Sequence, residues 1–323
     1  MDFYKDSFER IKKLKPRIKD STINQYLLNI KKISKELFKS YKPSIYYFKD
    51  FCSIKEYIEN FKSLASKKNI ITSILVTIKS YTELIPQEII EMYTDYHKEL
   101  SKKQEDSYLD NAKTTREEKN WISSRDIKDK ISSIETEINN AKYKDRKILD
   151  KKQQHLVLNL YTLLPPLRND YVLVKIIEKP ENEENDSCLD KSFNFINLTT
   201  KHLLLCNYKT DKFYGIKKIE LPENLFDIIK TWEISKKKYY KDGLKHNFLL
   251  LNTTTGTPMK HNTLTKYINK IFYPKKISTT LLRKIYLSEK YPVTVTYREQ
   301  AKDSYIMGHS IGTQKMIYSK IDN

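Results

Sequence analysis

The sequence predicts a mainly α-helical protein with one small antiparallel β-sheet, organised in two domains. Its 323 residues exceed what one hydrophobic core usually organises, since a domain commonly holds about 150 residues. Apolar residues recur at three- and four-residue spacing through the first hundred residues, which is the period of an amphipathic helix. Between residues 193 and 221, short aromatic and β-branched runs replace that period and indicate strands.

Four helices are predicted in the first domain, residues 1–100. Ser21 and Thr22 precede the first helix as possible N-caps, and Pro86 precedes the last. Lysines fill the polar faces of these helices. Their apolar stripes are Ile23, Tyr26, Leu27, Ile30, Ile33 and Leu37; Ile54, Tyr57, Ile58, Phe61 and Leu64; Ile71, Ile74, Leu75, Ile78 and Tyr81; and Ile89, Ile90, Tyr93 and Tyr96.

Residues 101–117 lack a sustained apolar stripe and carry many charges, so they are predicted to form an exposed linker. A second domain, residues 118–323, follows. Helices are predicted at about 125–139 and 145–164, and helical patterns return from Asn224 onward. Three antiparallel strands are predicted between them, at 193–198, 203–208 and 213–221.

The chain is strongly basic, with 60 Lys and Arg residues against 41 Asp and Glu residues and a formal net charge of +19. A field of this sign favours a polyanion, in particular the phosphate backbone of nucleic acid. A coding bias toward AT-rich codons, which enriches Lys, Asn, Ile and Tyr, is a second source of the excess. The charge therefore predicts a nucleic-acid partner, with the lysine-rich helix faces of the first domain as one candidate surface.

Cys52, Cys188 and Cys206 are odd in number and widely spaced. This spacing predicts reduced, buried thiols rather than a disulfide framework or a metal site. No segment approaches the roughly 18 apolar residues that cross a bilayer, and the first residues form no apolar signal region. The sequence thus predicts an intracellular protein with no membrane, metal or cofactor partner, located wherever its nucleic acid resides.

His309 and Tyr318 lie nine residues apart near the end of the sequence. On one straight helix their side chains would point to opposite faces, roughly 13 Å apart along the axis. Gly312 permits a sharp turn and Thr313 can cap a new helix, so a short helix at 314–320 is predicted to present Tyr318 beside His309. A tyrosine next to an imidazole is a candidate nucleophile for phosphate.

Three basic residues are further candidates for phosphate chemistry. Arg168 lies in the phrase Pro-Pro-Leu-Arg-Asn-Asp-Tyr, and Lys209 lies at the predicted tip between the second and third strands. Arg283 falls in the first turn of a predicted helix that one of two threonines caps. Each also has an ordinary explanation: an ion pair of Arg168 with Asp170, a solvated lysine at a hairpin tip, or an ion pair of Arg283 with a glutamate.

Taken in order, these residues resemble the motif of the tyrosine recombinase, or phage integrase, family. The family pattern of Arg, Lys, His-x-x-Arg, Leu-Gly-His and a Tyr nine residues later is matched by Arg168, Lys209, Thr280-Leu-Leu-Arg283, Met-Gly-His309 and Tyr318. The helical first domain is similar to the family's core-binding domain, so the resemblance covers most of the chain. The phrases around Arg168 and Lys209 look most like those of virus- and mobile-element-encoded members.

The resemblance implies a DNA-binding core-binding domain at residues 1–100 and an α+β catalytic domain at 118–323. It implies a site-specific recombinase that cuts and rejoins double-stranded DNA without a metal or cofactor, acting as a tetramer on paired DNA sites. Tyr318 would attack a phosphodiester, giving a 3′-phosphotyrosine and a free 5′-hydroxyl.

In the implied mechanism, Arg168 and Arg283 hold the nonbridging oxygens, because a guanidinium donates two parallel hydrogen bonds and stays charged. Lys209 protonates the leaving 5′-oxygen. His309 donates to the phosphate or helps to deprotonate Tyr318, since a tyrosine with a pKa of about 10 is a weak nucleophile unaided.

Two positions depart from the family pattern. Thr280 stands where histidine is usual, and a hydroxyl binds phosphate but does not relay a proton near neutral pH. The acidic residue usual three positions after the first arginine is replaced by Tyr171, while Asp170 lies beside it. Thr280 leaves open a catalytically weakened, sequence-specific DNA-binding protein. The same site chemistry would also suit a type IB topoisomerase or a telomere resolvase.

Overall fold

The computed structural model describes residues 2–109, 113–141, 145–180, 189–240, 246–291 and 297–318. The chain divides into two compact units, Met1–Asp110 and Asn111–Asn323. Each unit contains its own buried apolar cluster. The protein is mainly helical with one small sheet, which confirms the predicted fold class.

The described part of the first unit is helical. Its central helix is α4, where Ile71, Ile74 and Ile78 are completely buried because neighbouring helices surround them. Most of the predicted apolar stripes form this core, together with the 3-10 turn Ile45–Lys49. Ile23, Tyr26 and Leu27 of the first stripe belong to a separate small cluster. The helices are α1 (Phe3–Leu14), α2 (Asp20–Glu36), α3 (Phe51–Glu59), α4 (Leu64–Ile78) and α5 (Gln87–Leu109).

Three features of this unit differ from the sequence-based expectation. α2 begins at Asp20 after Lys19, so the predicted caps Ser21 and Thr22 lie inside the helix. No helix is predicted before Ser21, yet α1 packs its buried Ile11 into a small cluster of its own with α2. α5 continues to Leu109, so residues 101–109 of the predicted linker are helical. Lys, Gln and Glu dominate that stretch, and these residues favour a helix even where no apolar stripe is present. DNA binding by this unit stays a prediction.

Helices also dominate the second unit, and α8 is the most buried of them. Leu156, Val157 and Leu160 on α8 are fully covered. The helices are α6 (Thr115–Asn120), α7 (Ser124–Asn139), α8 (Arg146–Thr162), α9 (Asp211–Tyr214), α10 (Glu223–Tyr240), α11 (His261–Ile271), α12 (Thr279–Lys290), α13 (Tyr297–Met307) and α14 (Ile311–Thr313). Two shorter elements complete the described part, the 3-10 turn Asn169–Leu173 and the terminal π turn Gln314–Tyr318.

The sheet has the order β1-β2-β3-β4, formed by β1 (Val174–Ile177), β2 (Asn194–Asn197), β3 (His202–Leu205) and β4 (Lys217–Glu220). β2, β3 and β4 pair antiparallel, as predicted. The unpredicted strand β1 pairs parallel with β2, so the sheet is mixed. Residues 211–214 form α9 rather than extending the third predicted strand, and Gly215 ends that helix with a φ of +64°.

The cysteines only partly follow the prediction. Cys206 is buried, whereas Cys52 is exposed, so the prediction of a buried thiol is wrong at that position. Cys188 lies outside the described residues. In the portions of the chain that the structure describes, no helix combines the length and apolar character needed to cross a membrane.

Candidate active site

The chain reverses direction at Gly308, between α13 and α14. The φ of Gly308 is +73°, in the region that favours glycine. Ser310 then caps α14, because its Oγ accepts a hydrogen bond from the Thr313 backbone N–H at 3.1 Å. The predicted turn at Gly312 and cap at Thr313 are therefore wrong: Gly312 lies inside α14, and the reversal occurs four residues earlier.

This reversal lays the Tyr318 ring against the His309 ring, with centroids 4.9 Å apart and planes inclined by 30°. Only 8% of each residue is exposed. Leu287 and Met307 pack in the same apolar cluster as Tyr318 and hold the end of the π turn in place. The two side chains that a straight helix would separate thus lie side by side, as the sequence predicts.

Arg283 lies over the Tyr318 ring, with its Cζ 4.5 Å from the ring centroid. It is completely buried on α12, which begins after Ser278; that serine, and not a threonine as predicted, is the N-cap. Arg283 Nη2 donates to the Met307 carbonyl at 3.2 Å. Its Nε and Nη1 have no hydrogen-bond partner among the described residues. Buried donors are nearly always paired, so these open N–H groups mark a place for an acceptor.

Arg168 reaches the same place from the loop after α8. Its carbonyl accepts a hydrogen bond from Tyr161 Oη at 2.8 Å, and its neighbour Asn169 accepts one from Thr279 Oγ1 at 3.0 Å. These bonds fix the turn that carries the arginine. The Arg168 side chain lowers the pKa of Tyr318 through its positive charge and its hydrogen-bonding capacity. Two guanidinium groups therefore act on one phenol.

The carboxylate of Asp170 interacts electrostatically with both arginines. Burial raises the pKa of Asp170, while the charges of Arg168 and Arg283 oppose that rise. Tyr171 is instead a core residue, fully buried, and its hydroxyl donates to the Leu160 carbonyl at 2.9 Å. Asp170, one position before the usual acidic position of the family pattern, is thus the carboxylate that interacts with the arginines.

Opposing effects set the pKa of Tyr318. Burial raises it, but the positive charges of Arg283, Arg168 and Lys209, together with the hydrogen bond from Arg168, outweigh burial and leave the pKa below its usual value. A lower pKa increases the phenolate fraction, which is the nucleophilic form. Lys209 itself is exposed in the loop between β3 and β4, so it acts on Tyr318 through its charge.

His309 is held as a neutral imidazole. Its Nδ1 lies 3.1 Å from the Ser310 carbonyl oxygen, which can only accept, so Nδ1 carries the proton. Burial, followed by the charge of Arg283, lowers the pKa of His309 to about 4. Nε2 then presents a lone pair, and it has no partner among the described residues. This tautomer suits a proton acceptor.

Thr280 does not share the buried environment of Arg283. It is exposed in the first turn of α12 and lines a pocket of about 220 Å³ together with Arg116, Asn120 and Lys276. The buried threonine is its neighbour Thr279, which supports the Arg168 turn. The structure therefore brings Arg168, Arg283, His309 and Tyr318 together, with Lys209 acting at longer range, and leaves Thr280 at the exposed edge.

Sequence reasoning missed two residues of this region, Gly308 as the reversal point and Lys217 on β4. Lys217 is 1% exposed, and its Nζ has no hydrogen-bond partner among the described residues. The alternation of buried and exposed residues along β4 is the signal that could have identified Lys217. Lys217 and Ile219 are buried while Lys218 and Glu220 are exposed, so Lys217 occupies an apolar position of the strand.

Gly308→Ala is expected to destabilise the protein by more than about 1 kcal/mol, because a Cβ at positive φ is strained. That Cβ would also lie only 2.8 Å from Thr210 Oγ1. Gly312→Ala is the matched control: its Cβ would meet only Ser310 Oγ, at 3.6 Å, and alanine favours a helix. Urea denaturation of both variants measures the difference, and equal stabilities would contradict the assigned turn.

The neutral state of His309 is expected to make the protein less stable in mild acid. Its folded pKa is about 4, whereas an unfolded histidine has a pKa of about 6.5. Between these values the unfolded chain binds a proton that the folded chain does not, so the free energy of unfolding falls as the pH falls.

From about pH 7 to about pH 5 this loss is about 2 kcal/mol. His309→Gln is expected to remove it. Urea denaturation of wild type and variant at the two pH values checks this, and the same pH dependence in both proteins would count against a buried neutral histidine.

Within the described ranges, no three His, Cys, Asp or Glu side chains lie close enough to hold a metal ion. The polar groups left open at the site are instead hydrogen-bond donors and one imidazole lone pair. Such a set fits an anionic oxygen ligand.

No model of a protein family matches the chain, and no curated protein matches it. Among solved structures, the chain is similar to a fragment of the Tn1549 transposon integrase in complex with transposon right-end DNA. The identity is 16% and the TM-score 0.52, over 100% of this chain and 96% of that one. It is also similar to XerA recombinase, with 11% identity and a TM-score of 0.41, over 98% and 94% of the two chains. The chain therefore shares the fold of the Tn1549 integrase fragment.

Proposed function

We propose that this protein is a site-specific DNA recombinase that cuts and rejoins DNA through a 3′-phosphotyrosine on Tyr318. The observation that carries the proposal is the pair of open N–H groups on buried Arg283, directly beside a tyrosine whose pKa is lowered. A buried cation with unpaired donors is costly unless a ligand completes it. A phosphodiester is an anionic acceptor of the required kind.

The scissile phosphate would bind between the two guanidinium groups. Arg283 contributes its open Nε–H and Nη1–H groups, two donors of one rigid, positively charged guanidinium that can hydrogen-bond phosphate oxygens. The charge of Arg168 acts on the same phenol, and its guanidinium would bind the same phosphate. Because both donors are fixed by packing before DNA arrives, they stabilise the charge that develops during the displacement with little reorganisation.

The acid–base roles follow from the protonation states. His309 Nε2 accepts the phenol proton, because Nδ1 is committed to the Ser310 carbonyl. Of the two roles that the sequence leaves open, the base role is therefore the one proposed. Lys209 is the lysine that the family resemblance assigns to the leaving 5′-oxygen. Thr280 is exposed and contributes at most a hydrogen bond to the DNA backbone, so proton transfer does not depend on it.

Double-stranded DNA is the proposed partner. A net charge of +19 supplies the attraction for phosphate, and the Tn1549 integrase of similar fold was solved with transposon DNA. Strand exchange between two DNA sites needs several active sites at once, and the proposed assembly on paired sites is a tetramer. The lysine-rich helices of the first unit are proposed to hold the DNA backbone.

Covalent trapping tests this function. The substrates are nicked duplexes that tile the DNA flanking this gene in its source genome, so that the short 5′-hydroxyl fragment is lost after cleavage. Wild-type protein is expected to form a denaturant-resistant adduct with a subset of the duplexes. Salt-sensitive binding with no adduct on any duplex would contradict an enzyme and favour a DNA-binding protein. Relaxation of plasmids that lack the adduct-forming sequence would favour a type IB topoisomerase.

DNA affinity is expected to fall steeply with salt, because each phosphate contact releases counterions. With six or more contacts, raising salt from about 50 to about 200 mM would weaken binding by about 10³-fold. Fluorescence anisotropy on a trapped duplex measures the slope. A flat dependence would argue against a backbone-gripping protein.

A further inference from the structure

Lys217 has an unusual environment for an ammonium group. Its Nζ lies over three tyrosine rings, 4.4 Å from the centroid of Tyr305, 4.8 Å from that of Tyr214 and 5.0 Å from that of Tyr208. No hydrogen-bond acceptor among the described residues reaches it. Ring faces attract a cation, but they do not accept its hydrogen bonds as water does. The N–H groups of the ammonium therefore stay available to a ligand that accepts hydrogen bonds.

The ammonium lies against the turn that positions His309. A Cβ on Gly308 would lie 3.8 Å from Lys217 Nζ, which places the lysine beneath the reversal of the chain. The charge of Lys217 acts on His309, and the charge of Arg168 acts on Lys217. Lys217 therefore borders the phosphate site, although no sequence motif identifies it.

Lys209 and Lys217 differ in where they act. A phosphoryl displacement places the attacking and leaving oxygens on opposite sides of phosphorus. The charge of Lys209 acts on the attacking group, Tyr318. The charge of Lys217 acts on His309, and its Nζ would lie 3.8 Å from a Cβ on Gly308. Lys209 is also exposed at the loop, where a lysine contacts backbone phosphate.

We propose that Lys217, rather than Lys209, donates the proton to the leaving 5′-oxygen. This inference rests on the proposed function. In the step, the bond from Tyr318 Oη to phosphorus forms and the bond from phosphorus to O5′ breaks. The phenol proton passes to His309 Nε2, and one ammonium proton of Lys217 passes to O5′, leaving a neutral amine. The reverse transfers reset both groups when a 5′-hydroxyl attacks the phosphotyrosine.

The protonation equilibrium of Lys217 agrees with this role. Burial, followed by the charge of Arg168, lowers the pKa of Lys217 to about 8. A proton donor works best when its pKa is near the working pH, because it is then largely protonated and still acidic enough to release its proton. The tyrosine faces keep water away from the ammonium and so maintain the lowered value.

The test compares two versions of a duplex that forms an adduct with wild type, one with the natural 5′-oxygen at the scissile phosphate and one with a bridging 5′-sulfur. A thiolate is a much weaker base than an alkoxide and leaves without being protonated. Adduct formation is timed for wild type, Lys217→Met, Lys217→Arg and Lys209→Met. Lys218→Met is the control, since Lys218 is the next residue along β4 and is exposed.

Both Lys217 variants are expected to cleave the oxygen duplex about 10²-fold or more slowly. On the sulfur duplex both should approach the wild-type rate, while Lys209→Met stays equally impaired on both. Lys217→Arg keeps the charge and the ring contacts, so its loss on oxygen and recovery on sulfur separate proton donation from folding. Thermal unfolding of each variant confirms a folded protein.

Two results would overturn the assignment. One is a Lys217→Met variant that cleaves the oxygen duplex within a few-fold of wild type, or that is equally slow on both duplexes. The other is recovery of Lys209→Met on sulfur, alone or to the same extent as Lys217→Met. If wild type forms no adduct with either duplex, the proposed function itself fails and the role of Lys217 fails with it.

Discussion

Replacing Tyr318 with phenylalanine is expected to abolish the covalent DNA adduct while leaving DNA affinity within about twofold of wild type. The variant removes only the phenol oxygen. The ring still stacks on His309 at 4.9 Å and still packs beneath Arg283, so the terminal π turn keeps its contacts. Loss of the adduct with retained binding would then report the nucleophile and not the fold.

Tyr273→Phe is the matched control for this variant. Tyr273 lies in the same unit but is 85% exposed, whereas Tyr318 is 8% exposed. Its adduct yield on the trapping gel should equal that of wild type. A Tyr318→Phe protein that still forms the adduct would rule out Tyr318 as the attacking group.

Arg283→Ala is expected to slow adduct formation by about 10³-fold, because it removes the preorganised donor pair that would stabilise the phosphate charge. Arg283→Lys should not restore the rate, since a flexible, compact ammonium does not reproduce the fixed donors of a planar guanidinium. Folding should tolerate the change better than the loss of a paired buried arginine would, because only Nη2 has a partner in the described structure.

Arg125→Ala provides the control for net charge, as Arg125 is exposed on α7. Single-turnover rates on the trapped duplex measure all three variants at one salt concentration. If Arg283→Ala stays within about tenfold of wild type, the open N–H groups do not hold the reacting phosphate. Urea denaturation separates a rate effect from unfolding.

Periodicity predicted most of the helices because burial of one face is a strong and repeated signal. α2, α3 and α4 bury the stripes that the sequence displays. β1 was missed because four residues are too few to show a period, and its parallel partner lies across a long connection. The end of α5 was missed because its last residues are helical without an apolar stripe.

The sequence predicted the residues of the candidate site better than the position of the turn that joins them. Spacing and residue type, compared with the family pattern, brought His309, Tyr318 and the two arginines into one hypothesis. The structure places Tyr318 against His309 and Arg283. The turn was assigned to Gly312 because glycine before threonine is a common start for a helix. The turn lies at Gly308 instead, which has a positive φ, whereas Gly312 lies inside α14.

The burial of Lys217 and the exposure of Thr280 are set by tertiary packing, which the sequence does not display. A lysine in a basic chain has no sequence feature that marks it as buried, and only the pairing of β4 with β3 turns Lys217 inward. Thr280 fits the motif by position, yet the start of α12 leaves it exposed. Motif spacing therefore located the region of the site, whereas burial distinguished the residues that face it.

The central claim is that Tyr318 becomes covalently joined to a DNA 3′-phosphate. The most direct measurement is mass spectrometry of the wild-type adduct after nuclease and trypsin digestion. Trypsin would release residues 316–320, Met-Ile-Tyr-Ser-Lys, which contain one tyrosine. A 3′-phosphonucleotide mass on this peptide, localised to Tyr318, is the predicted result. The same mass on any other tyrosine, or an unmodified 316–320 peptide from a purified adduct, would contradict the claim.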